Sequence, residues 1–463
     1  MSCTIQIYPL KHKKYYLLME DLYIAVCGPV DAGKSSLIGV LTKGHLDNGR
    51  GLARSKVLHH SHELESGRTS SITINPIKYV PNNNHLDLYS SKSKKKYTLD
   101  KVQELSIQPK DEKIVSFIDL AGHEKYLKTT IFGVTGLFPD RGIVVIGANT
   151  GITKLTKEHL GILLYLNIPF IITITKIDLA PPEIYNKLKN KIKKLLMNNS
   201  FNKIVQFINN DDETNNYINN INGSHTQRVI NDNDIIPVIS ISNKEGTNIT
   251  NLHKIIYNIP QRKKWDSINN KSIVYIDSTY NVPGIGIVVS GIIKGEKINV
   301  KQKLFIGPYN GQFYQVSIRS IHNSIREEVE YLEPNVHGCF AIKFTNQKET
   351  LTKTQIKKGM VMLDNVNNWK ENITNTFTAK IKVLHHSATI KNGYCPVIHC
   401  GPIRQSASIK LIENDFLKSQ DDAIVQFKFI KNKEFIEKNM KFFFRDGTTK
   451  GVGEVMQLLE QQL

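Results

Sequence analysis

A chain of 463 residues is longer than one hydrophobic core supports and predicts two to four domains. Its 40% hydrophobic and 22% charged residues are those of a globular protein, and no run of eighteen apolar residues exists to form a membrane-spanning helix. Sixty-one Lys and Arg against 42 Asp and Glu leave a formal net charge of +19, which favours a polyanionic partner, although a Lys- and Asn-rich composition spread over solvated faces accounts for part of it.

Residues 1–20 read as an N-terminal extension. Lys11, His12, Lys13 and Lys14 precede only a short apolar patch with no small-residue cleavage site, so no secretory signal is expected. Cys3, Cys27, Cys339, Cys395 and Cys400 are odd in number and scattered, a poor disulfide framework that fits a reducing compartment, the cytosol.

The apolar run Leu22–Cys27 predicts a strand that delivers the chain into Gly28-Pro29-Val30-Asp31-Ala32-Gly33-Lys34-Ser35-Ser36, which contains GxxxxGK[ST] complete. Backbone N–H groups of such a turn face nucleotide phosphates. Gly28 and Gly33 let the backbone wrap the β-phosphate, Lys34 reaches the β and γ oxygens, and the Ser35 hydroxyl is placed to ligate Mg²⁺. The chain is thus expected to bind a nucleoside triphosphate.

Before the next strand, Glu65 to Ile74 offers two threonines, Thr69 and Thr73, for the switch I hydroxyl that ligates Mg²⁺. His59, His60 and His62 beside them read as a solvated loop. A polar stretch near 81–111 carries the run SSKSKKK (90–96). A second apolar run, Ile114–Leu120, then ends in Asp119-Leu-Ala-Gly122-His123, the DxxG of a γ-phosphate sensor: Asp119 holds Mg²⁺ through water, and the Gly122 N–H meets the γ-phosphate.

A third strand, Phe170–Ile174, leads into Thr175-Lys176-Ile177-Asp178, a variant of NKxD with Thr in place of Asn. The Asp178 carboxylate can accept from both N1–H and the exocyclic amine of guanine and finds no such pair of donors on adenine, while the Lys176 stem covers the base; GTP and GDP are selected. Pro181–Asp234 reads as a Lys- then Asn-rich insertion that starts as a helix, Ile184–Met197, and from about 198 to 234 loses periodicity as a mobile loop. A fourth strand, Ile235–Ile241, ends in Ser242-Asn243-Lys244, placed to meet the guanine O6.

Strands alternating with helices over 21–262 predict an α/β doubly wound sheet with the nucleotide at the carboxyl ends of its strands. Ile259 to Lys264 reads as a linker. Short strands with turn signals then predict two β-barrels, 268–368 and 372–463. Cys395, His399 and Cys400 with His385 and His386 hint at zinc, but alternation through this stretch reads as a strand that sends Cys and His to opposite faces.

Several of these strings carry a family resemblance. GPVDAGKS, DLAGH and TKID resemble the GTPase domain of the translational GTPases typified by elongation factor Tu and elongation factor 1 alpha. IDSTYNVPGIGIVVSGIIKG (276–295), KKGMVM (357–362), VLHH (383–386), VIHCGPIRQSAS (397–408) and FRDGTTKGVGEV (444–455) are similar to the GTP-binding protein 1 and 2 group of that superfamily. The resemblance covers nearly the whole chain from about Asp21 onward.

It implies hydrolysis of GTP by water, slow without a stimulating partner, in a cytoplasmic monomer. His123, directly after DxxG, becomes the residue that orients the water; Asp31 holds a monovalent cation near the β–γ bridge; and Val30 forms one side of an apolar gate. In switch I, Thr69 matches the GRTSS of the closer group, while Thr73, with Ile72 as the other gate residue, matches the I-T-I of elongation factor Tu. The implied partners are tRNA or another RNA and the ribosome. Two other readings are a GTP-gated protein-binding adaptor and, more remotely, a module driving sulfate activation, which needs an adenylyl-transferring subunit that this chain does not supply.

Overall fold

The computed structural model describes residues 20–58, 63, 69–82, 85–90, 96–98, 112–197, 203–222, 234–262, 264–265, 271–346 and 348–459. Outside them lie the extension before Glu20, the three switch-loop histidines, most of the polar stretch 81–111 and residues 223–233.

The first half is a nine-stranded sheet whose strands are β1 (Glu20–Cys27), β2 (Thr73–Asn82), β3 (His85–Ser90), β4 (Lys96–Thr98), β5 (Lys113–Asp119), β6 (Arg141–Gly147), β7 (Phe170–Thr175), β8 (Ile204–Ile208) and β9 (Ile235–Ser240). Their spatial order is β4-β3-β2-β5-β1-β6-β7-β9-β8. The stretch from β5 to β8 is parallel, and β2, β3 and β4 add an antiparallel edge. Helices α1 (Lys34–Lys43), α2 (Leu52–Ser55), α3 (Leu127–Thr135), α4 (Lys154–Tyr165), α5 (Pro182–Leu196), α6 (Asp211–Asn222) and α7 (Ile249–Asn258) accompany the sheet.

Every residue of β5, β6 and β7 is buried, which is why they read as continuous apolar runs: a parallel strand covered on both faces has no side to give to water. One apolar cluster joins the sheet to α1 and α7, and a second joins it to α3, α4 and α5. The register pairs Val26 with Asp119 and Gly147 with Thr175, so the ends of β1, β5, β6 and β7 share one rim.

The expected loop over 198–234 requires correction. Residues 203–222 form β8, paired in parallel to β9, and α6. The Asn-rich composition hides a helical stripe: Thr214 and Tyr217 are buried and Ile221 packs on the core, at spacings of three and four. Asp211, Asp212 and Glu213 sit in the first turn, where their charge suits the helix dipole, and the Asn210 carboxamide oxygen accepts from the Glu213 N–H at 2.8 Å.

Two barrels follow. Strands Ser272–Val282, Gly286–Gly295, Lys303–Tyr309, Gln312–His322, His337–Phe344 and Val361–Leu363 close on one another, and strands Thr376–His385, Val397–Cys400, Ile403–Leu411, Asp422–Phe429, Lys441–Asp446 and Thr449–Leu459 form the second closed barrel. His399 and Cys400 are successive residues of one strand and so face opposite sides of it, both buried. Among the described residues no helix is long and apolar enough to cross a membrane.

The three units meet at polar and aromatic seams. Tyr23 of β1 stacks on His337 of the first barrel at 4.0 Å, and the His337 Nε2 lies 2.8 Å from the Leu137 carbonyl oxygen. The Tyr165 hydroxyl of α4 donates to the Gly453 carbonyl of the second barrel at 2.6 Å, and Lys294 of the first barrel pairs with Glu437 of the second at 2.7 Å.

Candidate nucleotide site

The shared rim of the sheet carries a cavity of about 220 Å³ lined by Val30, Asp31, Gly33, Lys34, Ser35, Ser36, Gly122, His123 and Lys176, with Thr69 beside them. Its floor is the turn between β1 and α1. Gly28 has φ +149°, and a Cβ there would stand 2.4 Å from the Val145 carbonyl oxygen, so only glycine lets the turn lie against β6. Among the described residues no side chain caps the N-terminus of α1, leaving its first-turn N–H groups available to an anion. Lys34 is buried and donates to the Pro29 carbonyl at 2.9 Å. Burial lowers its pKa, opposed by Asp119, Cys27 and Asp31. At Gly122 a Cβ would fall 2.2 Å from the Lys34 Nζ, so the DxxG glycine is what allows the lysine and the switch II backbone to share this corner.

Three side-chain oxygens converge beside Lys34. The Ser35 hydroxyl donates to Asp119 Oδ2 at 2.7 Å, the Thr69 hydroxyl donates to the same oxygen at 3.2 Å, and the two hydroxyls are 2.9 Å apart. Thr69 therefore joins this cluster. Thr73 does not: it lies in β2, and its hydroxyl accepts from the Asn75 side chain at 3.3 Å. Ile72 packs against α3, where its Cδ1 is 3.3 Å from an ideal Cβ on Gly133. Asp119 is fully buried with Oδ1 lacking a partner among the described residues, and burial raises its pKa against the opposing pull of Lys34, Ser35 and Thr69. A set of oxygen donors with an unsatisfied buried carboxylate oxygen fits a hard divalent cation such as Mg²⁺.

His123 is exposed at the cavity edge and caps a short 3-10 turn, Glu124–Tyr126. Its Nδ1 accepts from the Lys125 N–H at 3.1 Å, which in the neutral ring places the proton on Nε2. The ring is thus arranged to donate through Nε2, not to abstract a proton there.

On the base side, Lys176 has a left-handed backbone (φ 58°) that turns the chain so that Asp178 and Ser242 meet; the Ser242 hydroxyl donates to Asp178 Oδ1 at 2.8 Å. The Thr175 hydroxyl donates to the Ala32 carbonyl of the P-loop at 2.6 Å, tying the end of β7 to the phosphate turn. Asn243 is buried, with its Oδ1 lacking a partner among the described residues.

Sequence reading passed over one wall of the cavity. Asp47, Gly49, Arg50, Gly51 and Arg54 line it, between α1 and the end of α2. The Asp47 N–H donates to the Asn243 carbonyl at 2.8 Å, and its carboxylate accepts from the Ala53 N–H at 2.9 Å, so this loop bridges the base end to α2. The signal was a turn-forming run, Asp47-Asn48-Gly49-Arg50-Gly51, with two arginines just after a P-loop helix.

Comparisons with known proteins agree with this geometry. The elongation factor Tu GTP binding domain family matches residues 20–261. The chain is 38% identical over 445 residues to GTP-binding protein 1 of Xenopus laevis, covering 95% of this chain and 64% of the relative. It is 32% identical to GTP-binding protein 2 of Homo sapiens, covering 94% of this chain and 69% of the relative. The chain therefore spans about two thirds of the length of these relatives. In fold it is similar to a bacterial selenocysteine-specific elongation factor, with TM-score 0.62 at 18% identity over 94% of this chain and 58% of that one. It is also similar to elongation factor SelB of Methanococcus maripaludis solved with the GTP analogue GppNHp, with TM-score 0.61 at 16% identity over 96% of this chain and 80% of that one.

Proposed function

The chain belongs to the translational GTPase family, and from that premise we propose that it is a GTP-driven switch that delivers aminoacyl-tRNA, or a related RNA, to the ribosome or to RNA-turnover machinery. The observation that carries the reading is the meeting of Ser35, Thr69 and Asp119, because it joins the P-loop, switch I and the DxxG at one point where a γ-phosphate can be sensed.

Ser35, Thr69 and Asp119 would hold Mg²⁺, which would supply neutralisation of the phosphate charge. Lys34 and the N–H groups of α1 bind the same phosphates, and Asp178 with Ser242 selects guanine. The Nε2–H of His123 orients the attacking water once the ring turns inward. Its exposed position and bond to the Lys125 N–H keep unstimulated turnover slow.

Departure of the γ-phosphate frees Thr69, and the G domain then rotates against the barrels across the Ile259–Lys264 linker. The acceptor arm of a tRNA occupies the cleft of the GTP form, attracted by the basic surface. The test is filter binding of charged and uncharged tRNA with a GTP analogue and with GDP at two ionic strengths. Tighter binding of charged tRNA with the analogue, falling steeply with salt, supports delivery. Equal affinity in all combinations overturns it in favour of an adaptor, a reading that an apolar groove between α4 and the second barrel also favours.

A further inference from the structure

A second cavity, of about 420 Å³, opens where the G domain, the linker and both barrels meet, away from the nucleotide rim. Arg262 and Lys264 of the linker, Lys294 of the first barrel and Lys438 and Lys441 of the second line it, with Glu437 as the one carboxylate in its lining among the described residues. Two of these cations are ion-paired: Lys264 with Asp140 at 2.8 Å and Lys294 with Glu437 at 2.7 Å. Arg262, Lys438 and Lys441 have no carboxylate within ion-pair distance among the described residues. Arg262 spends Nη1 on the Asn167 carbonyl at 3.0 Å, and its Nε is buried without a partner among the described residues. Burial lowers the Arg262 pKa, opposed by Asp140, yet a guanidinium stays charged, so among the described residues the cavity holds more positive charge than Asp140 and Glu437 balance. One wall is aromatic: Trp265 stacks on Tyr275 at 5.9 Å and meets Phe138 edge-on at 5.1 Å.

The geometry points to a second ligand site, for a small phosphorylated molecule that carries a planar ring. The guanidinium and ammonium groups supply donors to a phosphate, and the Trp265 face supplies a surface for the ring. The volume suits a ligand of nucleotide size. Because the walls come from all three units, such a ligand binds only when these are docked together, and by linkage it holds them so. The proposal does not rest on the reading of the GTP site.

The probe is adenosine 3′,5′-bisphosphate, whose base the Asp178 pocket rejects, titrated into the full chain with the guanine site filled by GDP. Trp265 supplies the signal. A saturable fluorescence change is expected, absent in Trp265→Phe, with calorimetric binding at least tenfold weaker in Arg262→Gln and in Lys441→Gln. Inorganic phosphate should bind at least tenfold more weakly than the bisphosphate. Since Arg262 and Lys441 also make interdomain hydrogen bonds, the exposed Lys438→Gln serves as the variant that leaves docking intact, and it should weaken the probe severalfold with GDP affinity unchanged. No saturable response up to about 10 mM probe, or equal affinity in wild type and Lys438→Gln together with Arg262→Gln, overturns the site.

Discussion

The nucleotide cradle and the three-domain junction are both cavities lined with cations, but they hold their cations in different ways. In the cradle, Lys34 is fixed by a carbonyl five residues away, and the first-turn backbone N–H groups of one helix stand beside it. At the junction the cations come from segments as far apart as Arg262 and Lys441, and these two are fixed by contacts to the G domain, Arg262 to the Asn167 carbonyl and Lys441 to the Tyr165 carbonyl. The first kind of site lies within one domain. The second exists only while the domains are docked, so a ligand there reports the arrangement of the whole molecule.

The comparison can be sharpened by separating chemistry from binding within the cradle. His123→Ala should lower partner-stimulated GTP hydrolysis by about 10²- to 10⁴-fold while GTP affinity, measured by fluorescence titration, changes less than about threefold. A parallel loss of affinity would mean that the ring serves the phosphates and not the water. Next in size, Asp178→Asn should weaken guanine nucleotides by about 10²-fold and improve xanthine nucleotides, because an acceptor becomes a donor. Wild-type binding of ATP as tight as that of GTP in competition would break the assignment of the base pocket.

Arg54→Ala should cost about tenfold in GTP affinity, the size of one charge-assisted hydrogen bond. Unchanged affinity would return the arginine wall to the solvent. The smallest effect concerns the seam between the G domain and the first barrel. Burial, reinforced by Asp140 and opposed by Ser324 and Lys264, pushes the Asp21 carboxyl up to about 7. Between about pH 4, its ordinary value, and pH 7 the folded chain keeps a proton that the unfolded chain has released, so stability falls as pH rises through that window. Asp21→Asn should flatten this dependence and raise the melting temperature at pH 8 by about 2 °C, which differential scanning calorimetry across pH would reveal.

What could be read in advance follows the same division. Gly28 to Ser36, Asp119 to His123 and Thr175 to Asp178 are short strings at strand ends, where local backbone geometry needs particular residues, and the architecture read from them, a doubly wound sheet and two barrels, is the one observed. Switch I stayed ambiguous because Thr69 and Thr73 lie four residues apart in similar surroundings, and only pairing of β2 with β5 takes Thr73 into a strand while Thr69 meets Ser35. The segment 203–222 misled because its core-facing residues are few, Thr214, Tyr217 and Ile221 among many Asn. The arginine wall was announced by the turn-forming run Asp47 to Gly51 after the P-loop helix and was passed over. The junction was illegible for a different reason: its partners are distant in sequence and no spacing announces them.

Thr175 has a consequence for timing. Its hydroxyl carries one hydrogen, given to the Ala32 carbonyl at 2.6 Å, with the Ile146 carbonyl a more distant 3.4 Å. The strand end that presents Asp178 to the base and the loop that grips the phosphates are thus clasped by a single proton, where a carboxamide would bring two. Loss of that hydroxyl, as in Thr175→Val, should therefore loosen the grip on base and phosphates together and shorten the residence time of GDP.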